Sequence, residues 1–385
     1  MSDIVIDVAD GNDQVFGSNP QTVLSDVVDG KIYIKKLDDV PVTTITGIAP
    51  LNVCIRDSEA IYYLLPVWTS DHKSLVPGNI SSIRLNGKCR GAKGGFFKNS
   101  ATIDIYTGEK QLSTKLSSKK IQMCGAKSLD MATRGAEYLV NHINECVDFI
   151  SYIHQNKSLY VEAGNWLLDN CKGQSVQVEN CVVQGRINMV NLVSDWLISY
   201  PDESVVPEEY KYIVSKIIYR LSDINYRCEL VPILEYYSSL APTDILGNVR
   251  VNMSYLEDQS LAEDPILPVG TPVSTLKVGR SMVNYNYKLG FKIDRYKLAN
   301  ILKSKGMGVQ LVNTVNSYIR VEMSSSIEND EYVIRRKGSH SKQLFLIYMS
   351  GSVMHSGPGG DCMANCYYNF MIEIAQVRDL VIIED

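Results

Sequence analysis

The chain has 385 residues, 45% hydrophobic and 21% charged, an ordinary globular composition that excludes a disordered, collagen-like or disulfide-scaffold protein. At about 150 residues per domain, two or three domains with cores of their own fit in this length. The net charge of -5 hides a segregation: residues 1–79 carry -6, 80–155 +5, 156–275 -8 and 276–385 +4, and 276–321 alone hold nine bases against one acid, Asp294.

No apolar run reaches the roughly 18 residues of a membrane helix, and the Asp-rich start lacks the basic-then-apolar pattern of a secretion signal. The nine cysteines include no C-x-x-C pair, so reduced thiols in an intracellular compartment are expected.

In chain order, residues 1–30 read as a flexible acidic lead-in. A β-like pattern begins at Tyr33 and continues through Val40 to Val53, followed by a helix over Asp57 to Leu65. Glycines and lysines from Gly87 to Gly95 read as a loop. Three strands follow, Ser100 to Tyr106, Gln111 to Leu116 and Lys120 to Cys124. An amphipathic helix runs from Leu129 to about Ile153, with Ala132, Ala136, Leu139, Val140 and Ile143 on one face. Residues 156–270 are acidic and mostly helical in pattern, as in Glu208 to Leu221 and Leu230 to Tyr237.

Strand, helix, strands, long helix then recurs. Ser281 to Leu289 reads as a strand, Asp294 to Lys303 as a helix, and Ser317 to Met323, Gln343 to Met349 and Ser352 to His355 as strands. Cys362 to Val377 closes the series as a helix. An internal repeat, 31–155 and 271–385, interrupted by an insert at 156–270, is the simplest account.

Catalytic signatures are missing. The five histidines are scattered, and no H-E-x-x-H, G-x-S-x-G or phosphate-cradling glycine loop occurs. His355 with Cys362 and Cys366 lacks a fourth ligand for zinc. No enzyme activity, cofactor or metal is expected.

At Leu116 to Ser128 the sequence reads LSSKKIQMCGAKS, followed by the helix LDMATRGAEYLVNHI. This stretch resembles the TATA-box-binding protein (TBP) family: strand, Ser-Ser turn, strand, Gly-Ala-Lys-Ser, then a helix rich in small residues. LIYMSGSVMHSG at Leu346 to Gly357 resembles the equivalent stretch of the family's second repeat. RSMVNYNYKLGFKIDRYKLANIL at Arg280 to Leu302 resembles the strand and helix that open that repeat, and Phe96 to Ile105 a strand of the first. The resemblance covers about 240 of the 385 residues, discontinuously.

The resemblance implies an α+β fold. Two TBP-like repeats would form one curved antiparallel sheet, a saddle, with helices on the convex face and a mostly helical insert between repeats. The family seats this saddle on the DNA minor groove and inserts apolar wedges between base steps. Its wedge positions fall on Phe97, Leu116, Val315 and Tyr348. Its base-reading asparagines fall on Gly47 and Ser281, with Val283 matching the adjacent valine. The small-residue positions of the following strands fall on Gln122, Cys124, Met354 and Ser356. Lys119, Lys120 and Lys127 match phosphate contacts, whereas Pro358-Gly359-Gly360 replaces the basic continuation in the second repeat. Phe97 and Leu116 read equally well as core residues, Tyr348 reads more readily as a core strand residue with its hydroxyl at the edge, and Lys119-Lys120 can also be read as a solvated hairpin turn.

By that resemblance the chain is expected to be a transcription initiation factor that binds A/T-rich double-stranded promoter DNA. Its partners would be general transcription factors or RNA polymerase subunits, without a membrane. Its place would be the nucleus or a viral replication compartment. The insert and the altered site residues fit a divergent viral protein, encoded by a large DNA virus, or a protist member. The rival reading is a structural or interaction protein that keeps the TBP-like fold without DNA binding.

Overall fold

The computed structural model describes residues 5–9, 15, 19, 21–68, 76–95, 100–169, 206–220, 230–247, 272–275, 277–313, 317–325 and 341–383. The described strands and main helices, in chain order, begin with β1 (Val5–Ala9), β2 (Lys31–Lys35), β3 (Val42–Pro50), β4 (Cys54–Ile55) and α1 (Ser58–Leu64). They continue with β5 (Ile80–Leu85), β6 (Lys88–Gly91), β7 (Ala101–Tyr106), β8 (Gln111–Ser117), β9 (Lys120–Ala126) and α2 (Leu129–Gln155). Next come α3 (Lys211–Arg220), α4 (Leu230–Ser239), β10 (Leu246–Gly247), β11 (Gly279–Lys288) and α5 (Arg295–Ser304). The last are β12 (Gly308–Val312), β13 (Tyr318–Ser325), β14 (Ser341–Tyr348), β15 (Ser352–Gly357) and α6 (Asp361–Val381). The fold is mixed α+β and built on extensive antiparallel sheet.

Local chemistry explains the element starts. Asp57 caps α1 by accepting from the backbone N–H groups of Glu59 and Ala60 at 2.7 and 3.1 Å, and Asp294 caps α5 through those of Tyr296 and Lys297 at 3.0 and 3.1 Å. Gly351 turns β14 into β15 with φ of +77°, and a Cβ there would lie 2.0 Å from the Phe291 carbonyl oxygen, so both its conformation and its surroundings require glycine.

The chain divides into two compact units. One comprises Met1–Ile48, Gly125–Leu129 and Gly279–Asp385. Its main sheet has the order β12-β13-β14-β15-β11-β3, antiparallel throughout, with α5 and α6 packed on it. Ile319, Val321, Phe345, Ile347 and Val353 from the strands, and Leu298, Leu302, Phe370, Met371 and Ile374 from the helices, make its core. β2 also packs on α6, and β1 pairs with β2 in parallel.

The second unit comprises Ala49–Cys124 and Asp130–Val278. Its main sheet runs β9-β8-β7-β5-β6. Ile103, Ile105, Leu112, Thr114, Ile121 and Met123 are buried together with the apolar face of α2. Gly135 lets helix and sheet approach closely, since a Cβ there would sit 2.9 Å from Leu112 Cδ1. Two buried arginines bind α3 into this unit. Arg90 donates to the carbonyls of Tyr62, Leu65 and Arg220 at 2.5, 2.8 and 3.0 Å. Arg220 donates to those of Lys216 and Glu145 and lies 4.4 Å over the Phe149 ring.

Three expectations change here. The contacts group the chain differently from the serial division 1–30, 31–155, 156–270 and 271–385: the described insert helices belong with β5 to β9, and residues 42–48 of β3 belong with the last hundred residues. The lead-in is not loosely packed throughout either. Val23, Leu24 and Ser25 are buried, and Val23 exchanges backbone hydrogen bonds with Lys288 and Lys35. The Gly87–Gly95 loop contains β6.

The element order repeats. Among the described elements β3-α1-β5-β7-β8-β9-α2 is matched by β11-α5-β12-β13-β14-β15-α6, with β4 and β6 as additions to the first series. In the first unit β3 pairs antiparallel with β11, Ile45 opposite Val283, so the opening strands of the two series are hydrogen-bonded neighbours.

Candidate nucleic-acid interface

Successive strand residues face opposite sides of a sheet, and burial alternates accordingly in both units. In the first unit the face opposite the core is half-exposed and forms cross-strand rows. Thr44, Asn284, Ser356, Leu344 and Glu322 lie directly opposite one another across five strands. Beside them run Asn286, Met354, Leu346, Arg320 and Gln310. A third row pairs Tyr318 with Tyr348, ring centroids 5.8 Å apart.

The chemistry of these rows is apolar at the centre and amide- or hydroxyl-bearing along β11 and β15. Asn284 Nδ2 donates to Thr44 Oγ1 at 2.8 Å, while the Oδ1 atoms of Asn284 and Asn286 accept no hydrogen bond among the described residues. Toward β13, Arg320 pairs with Glu322 at 2.5 Å and Lys342 approaches the same carboxylate at 3.5 Å. The Arg320 hydrogen bond and charge, with Lys342 adding to them, hold Glu322 below the usual carboxylate range, so it stays ionised but compensated.

In the second unit the corresponding face carries Asp104 and Tyr106 of β7, Gln111, Ser113, Lys115 and Ser117 of β8, and Lys120, Gln122 and Cys124 of β9. It is polar and largely half-exposed. At its β5 edge Arg84 and Asp104 form a 2.7 Å ion pair, mostly buried, to which Ser82 adds a hydrogen bond. Arg84 also donates to the Ala92 carbonyl, so residues 92–94 of the chain cover that charge.

The expected site residues fall into three groups. Gln122, Cys124, Tyr348, Met354 and Ser356 lie on the half-exposed faces, with Gln122 opposite Lys115 and Cys124 opposite Ser113. Lys119 in the β8–β9 turn and Lys127 after β9 are exposed, and Lys120 is half-exposed. Ser281 sits at the bulge of β11 and donates to the Thr46 carbonyl at 3.2 Å.

Leu116 and Val283 are corrected. Both are 1% exposed, because each follows the parity of the core side: Leu112, Thr114 and Leu116 on β8, and Val283 and Tyr287 on β11. Neither can reach a ligand on the open face, so Leu116 is a core residue rather than a wedge. Phe97 and Val315 lie outside the described residues.

Asn284, Asn286, Met282, Leu344 and Leu346 were not singled out from sequence. Period-two alternation with Val283 and Tyr287 carried the signal on β11, but the bulge at Ser281 breaks it where the alignment to the family begins. Among the described residues no group of three His, Cys, Asp or Glu side chains is placed to hold a metal, and no helix is long and apolar enough to cross a membrane.

Comparison with protein-family models gives no match, and none of the curated proteins matches the chain.

Proposed function

We propose that the chain is a divergent TBP-like transcription initiation factor. On this reading an open sheet face binds the minor groove of A/T-rich promoter DNA. The observation that carries this reading is the paired row system on β11, β15 and β14, where Asn284, Ser356 and Asn286 adjoin Leu344, Leu346 and Met354. A minor groove presents mainly acceptors at A·T pairs, which amide and hydroxyl donors answer, and the apolar centre suits contact with sugars and unstacked steps. Lys115, Lys119, Lys120 and Lys127 supply positive charge for phosphates. The repeated element order and the β3–β11 pairing support the family reading. Partners, on this reading, are general transcription factors or polymerase subunits in the nucleus or a viral replication compartment.

The alternative, an interaction protein without DNA binding, draws support from the Arg84–Asp104 pair, whose charge is spent internally under residues 92–94. Gel-shift and bending measurements on A/T-rich and G/C-rich duplexes over a salt series separate the two. Preferential A/T-rich binding that weakens steeply with salt supports the initiation factor. No binding at low salt sinks it.

A further inference from the structure

On the open face of the second unit, Arg84, Thr102, Lys115 and Gln122 are direct neighbours across β5, β7, β8 and β9, and Ser82, Asp104, Ser113 and Cys124 form the next row. The face is not uniform. Its β8 and β9 residues are half-exposed, whereas Ser82, Arg84 and Thr102 are buried, with Arg84 only 6% exposed. A single thickness of chain, Ala92 to Gly94, passes over Arg84. Gly94 rests so closely on the guanidinium that a Cβ there would lie 2.7 Å from Nη1, and the 2.7 Å ion pair with Asp104 holds that guanidinium in place.

The cover is lightly held. Ala92 to Gly95 are themselves exposed. The Ala92 carbonyl accepts from Arg84 Nη1 at 3.4 Å and from the Cys89 thiol at 3.5 Å, a long bond and a weak donor. Gly91 roots one end: its φ is +76°, and a Cβ there would meet the Ser81 carbonyl oxygen at 2.2 Å. At the other end a Cβ on Gly95 would meet nothing within 4 Å, so the segment has a fixed root and open space at its tip. Beneath it, Arg84 Nε has no acceptor among the described residues. An unanswered buried donor raises the free energy of the covered arrangement, and a phosphate oxygen suits a guanidinium once the cover is off.

We propose that residues 91–95 are a latch over the β5–β7 end of this face, and that duplex DNA engages the whole face only when the latch swings away about Gly91 and uncovers Arg84 for a phosphate. The proposal rests on the reading of the face as a duplex site. Such a latch lowers apparent affinity in proportion to the fraction of molecules in which it is open, so weakening the latch tightens binding.

The test uses the full chain and a short fluorescein-labelled A/T-rich duplex, read by anisotropy over a salt series. Gly94→Val sets a branched side chain against Arg84, and Cys89→Ala removes the thiol donor. Each should speed tryptic cleavage after Lys93, tighten duplex binding by about fivefold and steepen the salt slope by about one phosphate contact. Cys89→Ser keeps a donor and should stay within about twofold of the parent. Gly135→Ala crowds Leu112 in the core of the same unit without touching the latch, and should not tighten binding. Circular dichroism confirms folding, and Cys89→Ala decides if Gly94→Val does not fold. Duplex binding by the parent with equal or weaker binding by the folded latch variants would overturn the latch and leave the duplex reading standing. Binding by the variants but not by the parent supports the latch. No binding by any of these proteins overturns both.

Discussion

Phe345 and His355 lie ring on ring across β14 and β15, centroids 4.1 Å apart and 18° from parallel. Phe370 of α6 stacks on the other side of Phe345 at 4.2 Å. His355 is fully buried, and its Nε2 meets Gln343 Oε1 at 3.1 Å. Burial lowers its pKa from 6.5 to about 3, because the charged ring would have no water. The unfolded chain therefore binds one more proton than the folded chain between these values, and stability falls as pH falls. The contribution is complete above the unfolded value near pH 6.5 and is lost progressively toward pH 3, at up to about 1.4 kcal/mol per pH unit. His355→Leu should flatten this dependence in denaturation midpoints measured from pH 7 to 4.5; an unchanged slope would contradict the assignment.

Gly357 and Gln343 are interlocked. A Cβ on Gly357 would sit 2.0 Å from Gln343 Oε1. That amide cannot retreat, because Nε2 donates to the Pro358 carbonyl while Oε1 meets His355. Gly357→Ala should cost about 1–3 kcal/mol by overpacking. Shortening the partner, in Gln343→Ser with Gly357→Ala, should recover part of the loss. A double-mutant cycle in urea measures the coupling, and strict additivity would rule out the clash.

Leu116 and the neighbouring Lys119 and Lys120 should separate stability from binding. Leu116→Ala removes a core side chain and should lower stability by about 2–5 kcal/mol. Lys119→Ala with Lys120→Ala should leave stability unchanged and, on the proposed DNA-binding function, weaken duplex binding on all sequences alike and reduce the salt slope by about 2. Salt-dependent gel shifts and urea melts check both halves. Loss of stability in the lysine variant would show that the turn is structural.

Arg90 closes the C-terminal carbonyls of α1 and the end of α3 with one planar guanidinium. An ammonium cannot span those acceptors, so Arg90→Lys should destabilise the second unit by about 1–3 kcal/mol, the cost of leaving buried carbonyls without donors. Hydrogen exchange should show α3 opening more readily than α2. Wild-type exchange rates along α3 would refute this role.

The strands from Ala101 to Ala126 were readable because each core residue alternates with a polar one, and α2 because its apolar positions keep helical spacing. The same alternation assigns Leu116 to the core; the resemblance to a wedge position pulled it the other way. Arg90 and Arg220 were unreadable, since charged residues register as solvated until backbone carbonyls are seen around them. β6 was hidden by its glycines and lysines, whose turn signals outweigh four residues of strand. Asn284 and Asn286 required the bulge at Ser281 to be placed first. The lead-in misled through composition, because its Asp residues surround the short buried stretch Val23 to Ser25.

The pairing of β3 with β11 joins segments more than two hundred residues apart in the chain. During synthesis, residues 42–48 emerge long before their partner strand exists, so that edge waits unpaired while the whole intervening stretch is translated. Completion of the first unit is thus tied to the last third of the polypeptide, and a message truncated before β11 would yield a product with an open, pairing-competent strand edge, prone to aggregation.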